Sequence, residues 1–302
     1  MIKYKVMIFI LVTLLLTGTS SAATLTVGQG QEYSTIQSAI DASETGDVIS
    51  VSEGIYSENV VLTKSGIAII GKNKEKTIID GKKTGSVIRV ETDDVTISGF
   101  TIQNNGGSGK EDAGVSLYNA NNNMIANSIF TNNNAGIAIY SSSNNNVIAG
   151  NNIQSNGRYG VNIFSSLDNK IYGNLIQGNQ IGIYADSARG AQIYENNFID
   201  NKDQAYDNSE MNSWDNGKSG NYWNTHKTTG PFNILGGAKA KDNYPLSNAV
   251  TIRDVPITIP TPKAQGEETK GEKAKSTPGF EVLLFIIAIL SLRFFQLDRE
   301  CV

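Results

Sequence analysis

Five nine-residue segments in the middle of the chain share one pattern. They read ISGFTIQNN (residues 97–105), IANSIFTNN (125–133), IAGNNIQSN (148–156), IYGNLIQGN (171–179) and IYENNFIDN (193–201). Each opens with isoleucine, has isoleucine or phenylalanine at its sixth position and ends with asparagine. The last three intervals between segments are 23, 23 and 22 residues. A repeat of this length is typical of solenoids, in which each unit packs only on its neighbours.

A second signal follows the first four segments. A glycine opens a short run in which apolar residues alternate with others, at Gly114, Gly136, Gly160 and Gly182. Alternation with a period of two predicts strands with one buried face. Such strands, repeated with the period above, predict two or three strands per turn and turns stacked at about 4.8 Å. The sequence therefore predicts an all-β fold, a single-stranded right-handed parallel β-helix, with a loop insertion around residues 106–112.

The repeated asparagines predict the bends of this coil. The column comprises Asn105, Asn133, Asn156, Asn179 and Asn201. Because asparagine tolerates left-handed backbone, we expect these residues to adopt it at a tight bend. Their side-chain amides should hydrogen-bond to the amides one turn above and below. No proline precedes Pro231, which agrees with interior coils that need all their backbone donors.

An amphipathic helix is predicted before the first regular turn. Ser34-Thr35-Ile36-Gln37 has the pattern of a capping box, and Gly46 can end the helix. Apolar residues at positions 36, 39 and 40 form one stripe. We therefore expect a helix over about residues 34–45 that covers the open end of the coil, since an uncovered end would aggregate.

The two ends of the chain have the composition of targeting segments. Residues 1–23 contain two lysines, an apolar run over 6–16 and small residues after it. This order predicts a secretory signal peptide cut after Ala22 or Ala23, with an uncleaved anchor as the alternative. Residues 249–276 are rich in proline, lysine and glutamate and predict an extended linker. Residues 277–302 carry an apolar run of about eleven residues, which is short for a permanent membrane span.

The last segment resembles the PGF-CTERM sorting tails of archaeal surface proteins. Pro278, Gly279 and Phe280 precede the apolar run, and Arg293 follows it. The resemblance implies that an archaeosortase-type membrane peptidase removes the tail and that a lipid is attached. It further implies an archaeal protein that is secreted, membrane-anchored and displayed at the cell surface.

Two other stretches resemble known β-helix proteins. The opening, Tyr33 to Ile40 with Gly46-Asp47-Val48-Ile49, is similar to that of pectin-lyase-like proteins. The repeats and the ending around Gly220-Asn221-Tyr222-Trp223 resemble the archaeal NosD-like family, associated with periplasmic copper binding and with carbohydrate-binding and sugar-hydrolysis relatives. This gives a β-helix domain over 24–248, with regular repeats over about 95–212 and a C-terminal cap over 213–248.

Composition excludes several classes of function. The net charge of −4 argues against a strongly basic nucleic-acid binder. Copper needs imidazole, thiolate or thioether ligands. Outside the two targeting segments the chain offers only His226, Met124 and Met211 as such ligands, so we expect no specific copper site and no cofactor.

Catalysis on carbohydrate is a further possibility. Glycoside hydrolysis needs two carboxyl groups that flank the substrate, and the candidates are Asp186, Glu195 and Asp200 on neighbouring repeats. Arg158, Lys170 or Arg189 could serve as the base of a lyase. The alternative interpretation is that these charges only solubilise the surface, and no residue is assigned a catalytic role.

An aromatic column gives the preferred hypothesis for function. Tyr118, Tyr140 and Phe164 each lie four residues after the glycine of their repeat, and Tyr184 lies nearby. By alternation these rings should point outward and could form a platform for sugar rings. Mutual stacking that only supports the sheet, at about 0.5–1.5 kcal/mol per pair, is the alternative. We expect a non-enzymatic surface protein that contacts polysaccharide or other envelope components. The first alternative is a carbohydrate-active enzyme (a hydrolase, lyase or epimerase), and the second is a copper-associated accessory protein.

Overall fold

The computed structural model describes residues 22–107, 109 and 111–259. Most of the predicted leader (1–23), the greater part of the predicted linker and the whole of the predicted tail (277–302) lie outside these residues. Within the described part of the chain, no helix has the length and hydropathy needed to cross a membrane.

Three parallel sheets wind around one core, and the predicted right-handed parallel β-helix is confirmed. Sheet 1 has eight strands: Thr24–Val27, Val48–Val51, Ala68–Gly71, Thr96–Ser98, Met124–Ala126, Val147–Ala149, Lys170–Tyr172 and Gln192–Tyr194. Sheet 2 has eight: Gly54–Tyr56, Thr77–Asp80, Thr101–Gln103, Ile129–Thr131, Asn152–Gln154, Leu175–Gln177, Asn197–Ile199 and Tyr222–Trp223. Sheet 3 has seven: Val60–Leu62, Ile88–Val90, Val115–Tyr118, Ala135–Tyr140, Tyr159–Phe164, Ile181–Asp186 and Asp203–Asp207. A short antiparallel pair, Phe232–Asn233 with Lys241–Asp242, follows the last turn.

The register of the sheets agrees with the repeat seen in the sequence. In sheet 1 Ile125 pairs with Ile97 and Ile148, and in sheet 2 Phe130 pairs with Ile102 and Ile153. These side chains are fully buried in the common core. Each regular turn therefore contributes one strand to each sheet, and three corners join the sheets: corner 1–2, corner 2–3 and corner 3–1, named by the sheets they connect.

The predicted asparagine column lies inside corner 2–3, and its hydrogen bonds are confirmed. The backbone N–H of Asn133 donates to Oδ1 of Asn156 at 3.2 Å, and that of Asn156 donates to Oδ1 of Asn179 at 3.0 Å. Each Nδ2 also donates to a carbonyl of an earlier turn, as Asn156 does to Phe130 at 3.2 Å. The column is thus a ladder of buried amides that binds successive turns together.

The sequence predicted left-handed backbone at the ladder asparagines, but the structure has it one residue earlier. The residues with φ near +55° at this corner are those just before the ladder, including Asn104 (60°), Asn132 (56°) and Ser155 (55°). The left-handed residue turns the chain, and the next asparagine then points its amide into the core. The ladder residues are therefore selected for their side-chain hydrogen bonds rather than for backbone freedom.

Two more ladders occupy the other corners, and the sequence analysis did not find them. Corner 1–2 holds Ser128, Asn151, Asn174, Asn196 and Asn221, in which each side-chain oxygen accepts the N–H of the turn before. Corner 3–1 holds Asn123, Asn146 and Asn169 in the same arrangement. The chain's 33 asparagines therefore include buried amides at all three corners.

The glycines that open the alternating runs lie where two turns approach each other closely. A Cβ on Gly136 would lie 2.8 Å from the carbonyl oxygen of Gly160, and one on Gly160 would lie 2.5 Å from that of Gly182. Real Cβ atoms do not approach backbone this closely. The glycine column is therefore required by the stacking distance of sheet 3.

The N-terminal capping helix is confirmed, with a shorter extent than expected. It spans Ile36–Ala42, and its N-cap is Thr35 rather than Ser34, with the Thr35 side chain accepting from the N–H of Ser38. The Glu58 carboxylate accepts the N–H groups of Ile36 and Gln37 at 2.9 and 3.1 Å. An acidic side chain from the coil thus satisfies the positive end of the helix.

Aromatic rings and buried carboxylates close the C-terminal end. Trp223 stacks on Phe198 at 4.2 Å, and Phe232 stacks on Trp223 at 4.2 Å. Asp242 and Asp207 are fully buried and accept the indole N–H of Trp223 and Trp214 at 2.8 and 2.9 Å. Burial raises the pKa of both carboxyl groups above the ordinary value, although the hydrogen bonds that they accept act in the opposite direction.

Carboxylates at this same end accept from the ladders at corners 1–2 and 2–3 and from Asn212. Asn221 donates its N–H to Asp242 at 2.7 Å, and Nδ2 of Asn212 donates to Asp207 at 3.2 Å. At corner 2–3 the amides of Asn201, Gln204 and Asn224 form a relay that ends on Asp200. In the ladders the backbone N–H groups donate to side-chain oxygens of the following turn, towards the C-terminal end, so negative charge there complements this alignment.

Candidate functional site

The outer face of sheet 3 carries aromatic rings on five consecutive turns. Tyr118 pairs with Tyr140, and Phe164 lies next to Tyr140 in the same outward column. A second outward column contains Tyr184 and Tyr206, which pair with each other. The predicted residues Tyr118, Tyr140, Phe164 and Tyr184 therefore share one face, which we call the aromatic face; Tyr159 and Tyr206 also belong to it.

The rings of the aromatic face contact one another along the axis of the helix. The Tyr159 and Tyr184 centroids are 5.3 Å apart, and those of Tyr184 and Tyr206 are 5.6 Å apart with planes 19° from parallel. The Tyr140 and Phe164 rings are 5.9 Å apart and tilted by 39°. Each of these rings therefore packs against a ring of the neighbouring turn.

Small side chains form the floor between the rings. Ala135 and Ala138 point outward from sheet 3 yet are almost fully buried, because neighbouring rings lie over them. Ser116 lies on the same floor, and its hydroxyl is buried without a hydrogen-bond partner. The rings therefore project above a floor of small side chains, and the aromatic face is not flat.

Exposure varies strongly among the rings. Phe164 has 41% of its surface exposed, whereas Tyr140 and Tyr159 are each at 8%. Burial, with smaller contributions from neighbours including Tyr159 and Glu111, raises the pKa of Tyr140 to about 12, so its hydroxyl stays protonated throughout the physiological range. Asn162 Nδ2 donates to that hydroxyl.

Charged and polar groups border the rings. The Arg89 guanidinium lies 5.1 Å from the centre of the Tyr118 ring, and that of Arg158 lies 4.7 Å from Tyr159. These distances fit cation–π contacts. The Tyr184 hydroxyl donates to Asp186 at 3.3 Å. The aromatic face thus combines apolar ring surface with hydrogen-bond donors and acceptors. This combination complements a sugar, which has both apolar faces and hydroxyl groups.

The carboxylates considered for catalysis lie apart. Asp186 ends a strand of sheet 3, Glu195 lies at corner 1–2 and Asp200 lies at corner 2–3. Nδ2 of Asn224 donates to the Asp200 carboxylate at 2.6 Å, which is the last hydrogen bond of the relay at corner 2–3. The three acids therefore belong to different corners of the coil, and they do not face one substrate.

The basic candidates for a lyase are also separated. Arg158 lies against the Tyr159 ring on sheet 3. Lys170 begins a strand of sheet 1, and Arg189 lies at corner 3–1, where its backbone pairs with that of Leu167. The three bases therefore lie on different sheets or corners of the coil.

The potential copper ligands do not form a cluster. His226 bonds the carbonyl of Gly230 at 3.0 Å, Met124 lies on sheet 1, and Met211 is 76% exposed near the last turn. Among the described residues no group of three or more His, Cys, Asp and Glu side chains could hold a metal ion. The donor set present does not fit copper.

A separate cavity of about 530 Å³ lies beside the C-terminal aromatic cap. Its lining includes His226, Lys227, Asn243 and Tyr244, and the Tyr244 ring is 48% exposed. The sequence analysis did not predict this cavity, because residues that are distant in sequence build it from loops without repeat periodicity.

Comparison with protein families identifies one that covers most of the chain. The family described as "Periplasmic copper-binding protein (NosD)" matches residues 18–244. The chain belongs to the NosD family. This result agrees with the resemblance seen in the repeats, and the family's description refers to a location outside the cytoplasm. Comparison with curated proteins gives no match.

Several solved structures are similar to this NosD-family chain at low sequence identity. Pectin methylesterase from Aspergillus niger is 16% identical, with 67% of this chain and 77% of that chain covered and a TM-score of 0.46. Pectin methylesterase from carrot is 15% identical, with 66% and 72% covered and a TM-score of 0.47. Alginate lyase from a Paenibacillus species is 16% identical, with 67% and 77% covered and a TM-score of 0.40.

Proposed function

We propose that this NosD-family chain is a secreted, envelope-anchored β-helix protein that binds polysaccharide on its aromatic face without transforming it. One observation carries the proposal: five successive turns each place at least one aromatic ring on the outer face of sheet 3. Turns spaced by about 4.8 Å make this face roughly 19 Å long. An extended polymer could contact several rings at once, and weak contacts would add.

The arrangement of the rings favours an extended ligand over a small one. The rings stand in a row along the axis of the coil. Phe164 offers the most accessible ring surface; the half-buried Tyr184 lies on the next turn, and the half-buried Tyr118 lies two turns before it. A ligand that lay along the axis would meet these rings in sequence, with Arg89 and Asp186 available for hydrogen bonds.

The separation of the acids supports binding rather than hydrolysis. Hydrolysis of a glycosidic bond requires two carboxyl groups roughly 5–9.5 Å apart across the bond. Asp186, Glu195 and Asp200 occupy different corners, and the bases considered for a lyase are equally dispersed. Likewise, the copper in the family's description has no matching ligand set here, so we assign no copper chemistry to this chain.

The cellular location rests on the family and on the ends of the sequence. The family is described as periplasmic, and the predicted signal peptide leads out of the cytoplasm. We propose that the tail around Pro278, Gly279 and Phe280 is processed by an archaeosortase-type enzyme and that it anchors the protein in an archaeal envelope. Envelope polysaccharides are then the ligands within reach of the aromatic face.

Replacing Phe164 with alanine should weaken polysaccharide binding about tenfold, or about 1.4 kcal/mol, because the most exposed ring is removed. Folding should be little affected, since the ring stacks only at its edge on Tyr140. Affinity would be measured by isothermal titration on the polysaccharide that retains the native protein best.

The matched control is Tyr194→Ala on sheet 1. Tyr194 stacks on Tyr172 at 5.4 Å, so this variant also loses an outward ring pair, but on another face. Its affinity should stay within twofold of the native value. Equal losses in both variants would contradict binding on the aromatic face.

A further inference from the structure

Residues 249–259 return along the outside of corner 1–2. Val250 lies against Asn197 near the last turns, Val255 lies against Asn127, and Thr258 reaches Thr96. The segment therefore runs opposite to the growth of the coil, from its C-terminal end towards its early turns. We call residues 249–259 the strap.

Two asparagine side chains hold the strap by its backbone. Asn197 Nδ2 donates to the carbonyl of Val250 at 2.7 Å, and the N–H of Val250 donates to Oδ1 of Asn197 at 2.9 Å. Asn127 makes the same pair with Val255, at 3.0 and 2.8 Å. A side-chain amide that bonds both groups of one residue imitates a neighbouring strand, and it recognises backbone rather than side chains.

The spacing of the two asparagines fits an extended chain. They lie three turns apart, or about 14 Å along the axis. The five steps from Val250 to Val255 span about 16 Å when extended. Between them Gly150 allows close approach, because a Cβ there would lie 3.2 Å from the carbonyl oxygen of Arg253.

Further contacts hold the end of the strap beside the early turns. The Thr96 hydroxyl donates to the carbonyl of Thr258 at 2.5 Å. Lys74 pairs with Asp254 at 2.5 Å, although the 65% exposure of that carboxylate makes the pair weak in water. Ile259 is thus about five turns from the turn that contains Gly220.

From this geometry we propose that corner 1–2 is a docking groove for extended peptide backbone, occupied by the chain's own strap. Docking makes the tail depart beside the early turns instead of from the C-terminal end. If the tail is the anchor, a point that rests on the proposed function, the C-terminal cap and its cavity face away from the envelope. The strap also couples distant turns, whereas a simple solenoid couples only neighbours.

Distance measurements by pulsed electron spin resonance would test the proposal on the full chain with Cys301→Ser. Spin labels at residues 259 and 72 report the early end of the coil, and labels at 259 and 218 report the late end. The first pair should be closer by roughly 20 Å, because four more turns separate the second pair. Distances that show residue 259 nearer to 218, or a broad distribution for both pairs, would overturn the proposal.

A double variant, Asn127→Gly with Asn197→Ala, tests the two clamps. Glycine already occupies the corresponding corner position in neighbouring turns, at Gly99, Gly150 and Gly173, so the coil should tolerate it. The 259–72 distribution should broaden in this variant and stay narrow in Asn233→Ala, an exposed asparagine on the antiparallel pair. A narrow distribution in the double variant would overturn the role of the clamps. Disappearance of the short distance when labelled chains are diluted with unlabelled ones would show exchange between two copies and overturn docking within one chain.

Discussion

Asn174→Ala should lower the free energy of unfolding by about 4 kcal/mol. The Asn174 side chain accepts the N–H of Asn151 at 2.9 Å and donates to the carbonyl of Ile148 at 2.9 Å. It also donates to Oδ1 of Asn196 at 2.9 Å. All these groups are buried, and each one left without a partner costs about 1–3 kcal/mol. Urea denaturation followed by circular dichroism measures the loss.

Asn174→Ser provides a graded comparison. Ser128 occupies the same ladder, where its hydroxyl accepts the N–H of Phe100 at 3.2 Å and donates to the carbonyl of Ala126 at 2.9 Å. Serine at position 174 can therefore serve the preceding N–H but cannot reach Asn196, and we expect an intermediate loss. If Asn174→Ala cost less than about 1 kcal/mol, the ladder would contribute little to stability.

Asp242→Ala should destabilise the C-terminal end by a similar amount, about 4 kcal/mol. The carboxylate accepts three N–H groups: that of Asn221 at 2.7 Å, the indole of Trp223 at 2.8 Å and that of Tyr244 at 3.0 Å. Alanine leaves these three donors without that partner, two of them fully buried. Loss of the ring stack on Phe198 would appear as a change in tryptophan fluorescence before the rest of the coil unfolds.

The pH dependence of Asp242→Asn gives an independent check. Burial raises the pKa of Asp242 above its ordinary value of 3.8. Between 3.8 and that raised pKa the folded state binds more protons than the unfolded state, so stability increases as the pH falls through this interval. The amide cannot titrate, so the free energy of unfolding of the native chain minus that of Asp242→Asn should increase as the pH falls through this interval. A decrease there would mean that the folded-state pKa is lowered.

The sequence predicts the fold well because two of the three sheets repeat large side chains at a fixed interval. The isoleucines from Ile97 to Ile193 and the residues from Ile102 to Phe198 pair as expected. The backbone conformation of the bends was misplaced by one residue, since asparagine suits both a left-handed backbone and a buried ladder. Only the φ angles of Asn104 and Asn132 distinguish the two uses.

The other two ladders were recognisable only in part. Asn151, Asn174 and Asn196 follow the repeat interval. The column begins with a serine, however, and a longer interval separates Asn196 from Asn221, so a search for asparagine at a strict interval misses the column. The two fully buried carboxylates of the C-terminal end do not belong to the repeated segments. Asp207 and Asp242 become visible only when folding places them beside Trp214 and Trp223.

The sequence predicted which rings share the aromatic face but not how those rings pack on one another. Alternation places Tyr118, Tyr140, Phe164 and Tyr184 outward, and they do lie on one face. Tyr159 and Tyr206 also take part in the ring contacts. The sequence did not indicate them, because other residue types occupy the equivalent positions in other turns. The docking of the strap could not be predicted either, since Asn127 and Asn197 have the composition of ordinary bend residues, and a proline-rich segment gives no sign of where it packs.

The most direct test of the central claim is a screen of the protein on a panel of envelope polysaccharides that records retention and new reducing or unsaturated ends together. Binding on the aromatic face without catalysis predicts retention on at least one polysaccharide, with no increase in either kind of end over the incubation. Accumulation of ends in proportion to protein concentration would contradict the account and identify a carbohydrate-active enzyme. Absence of retention on every polysaccharide would contradict it as well.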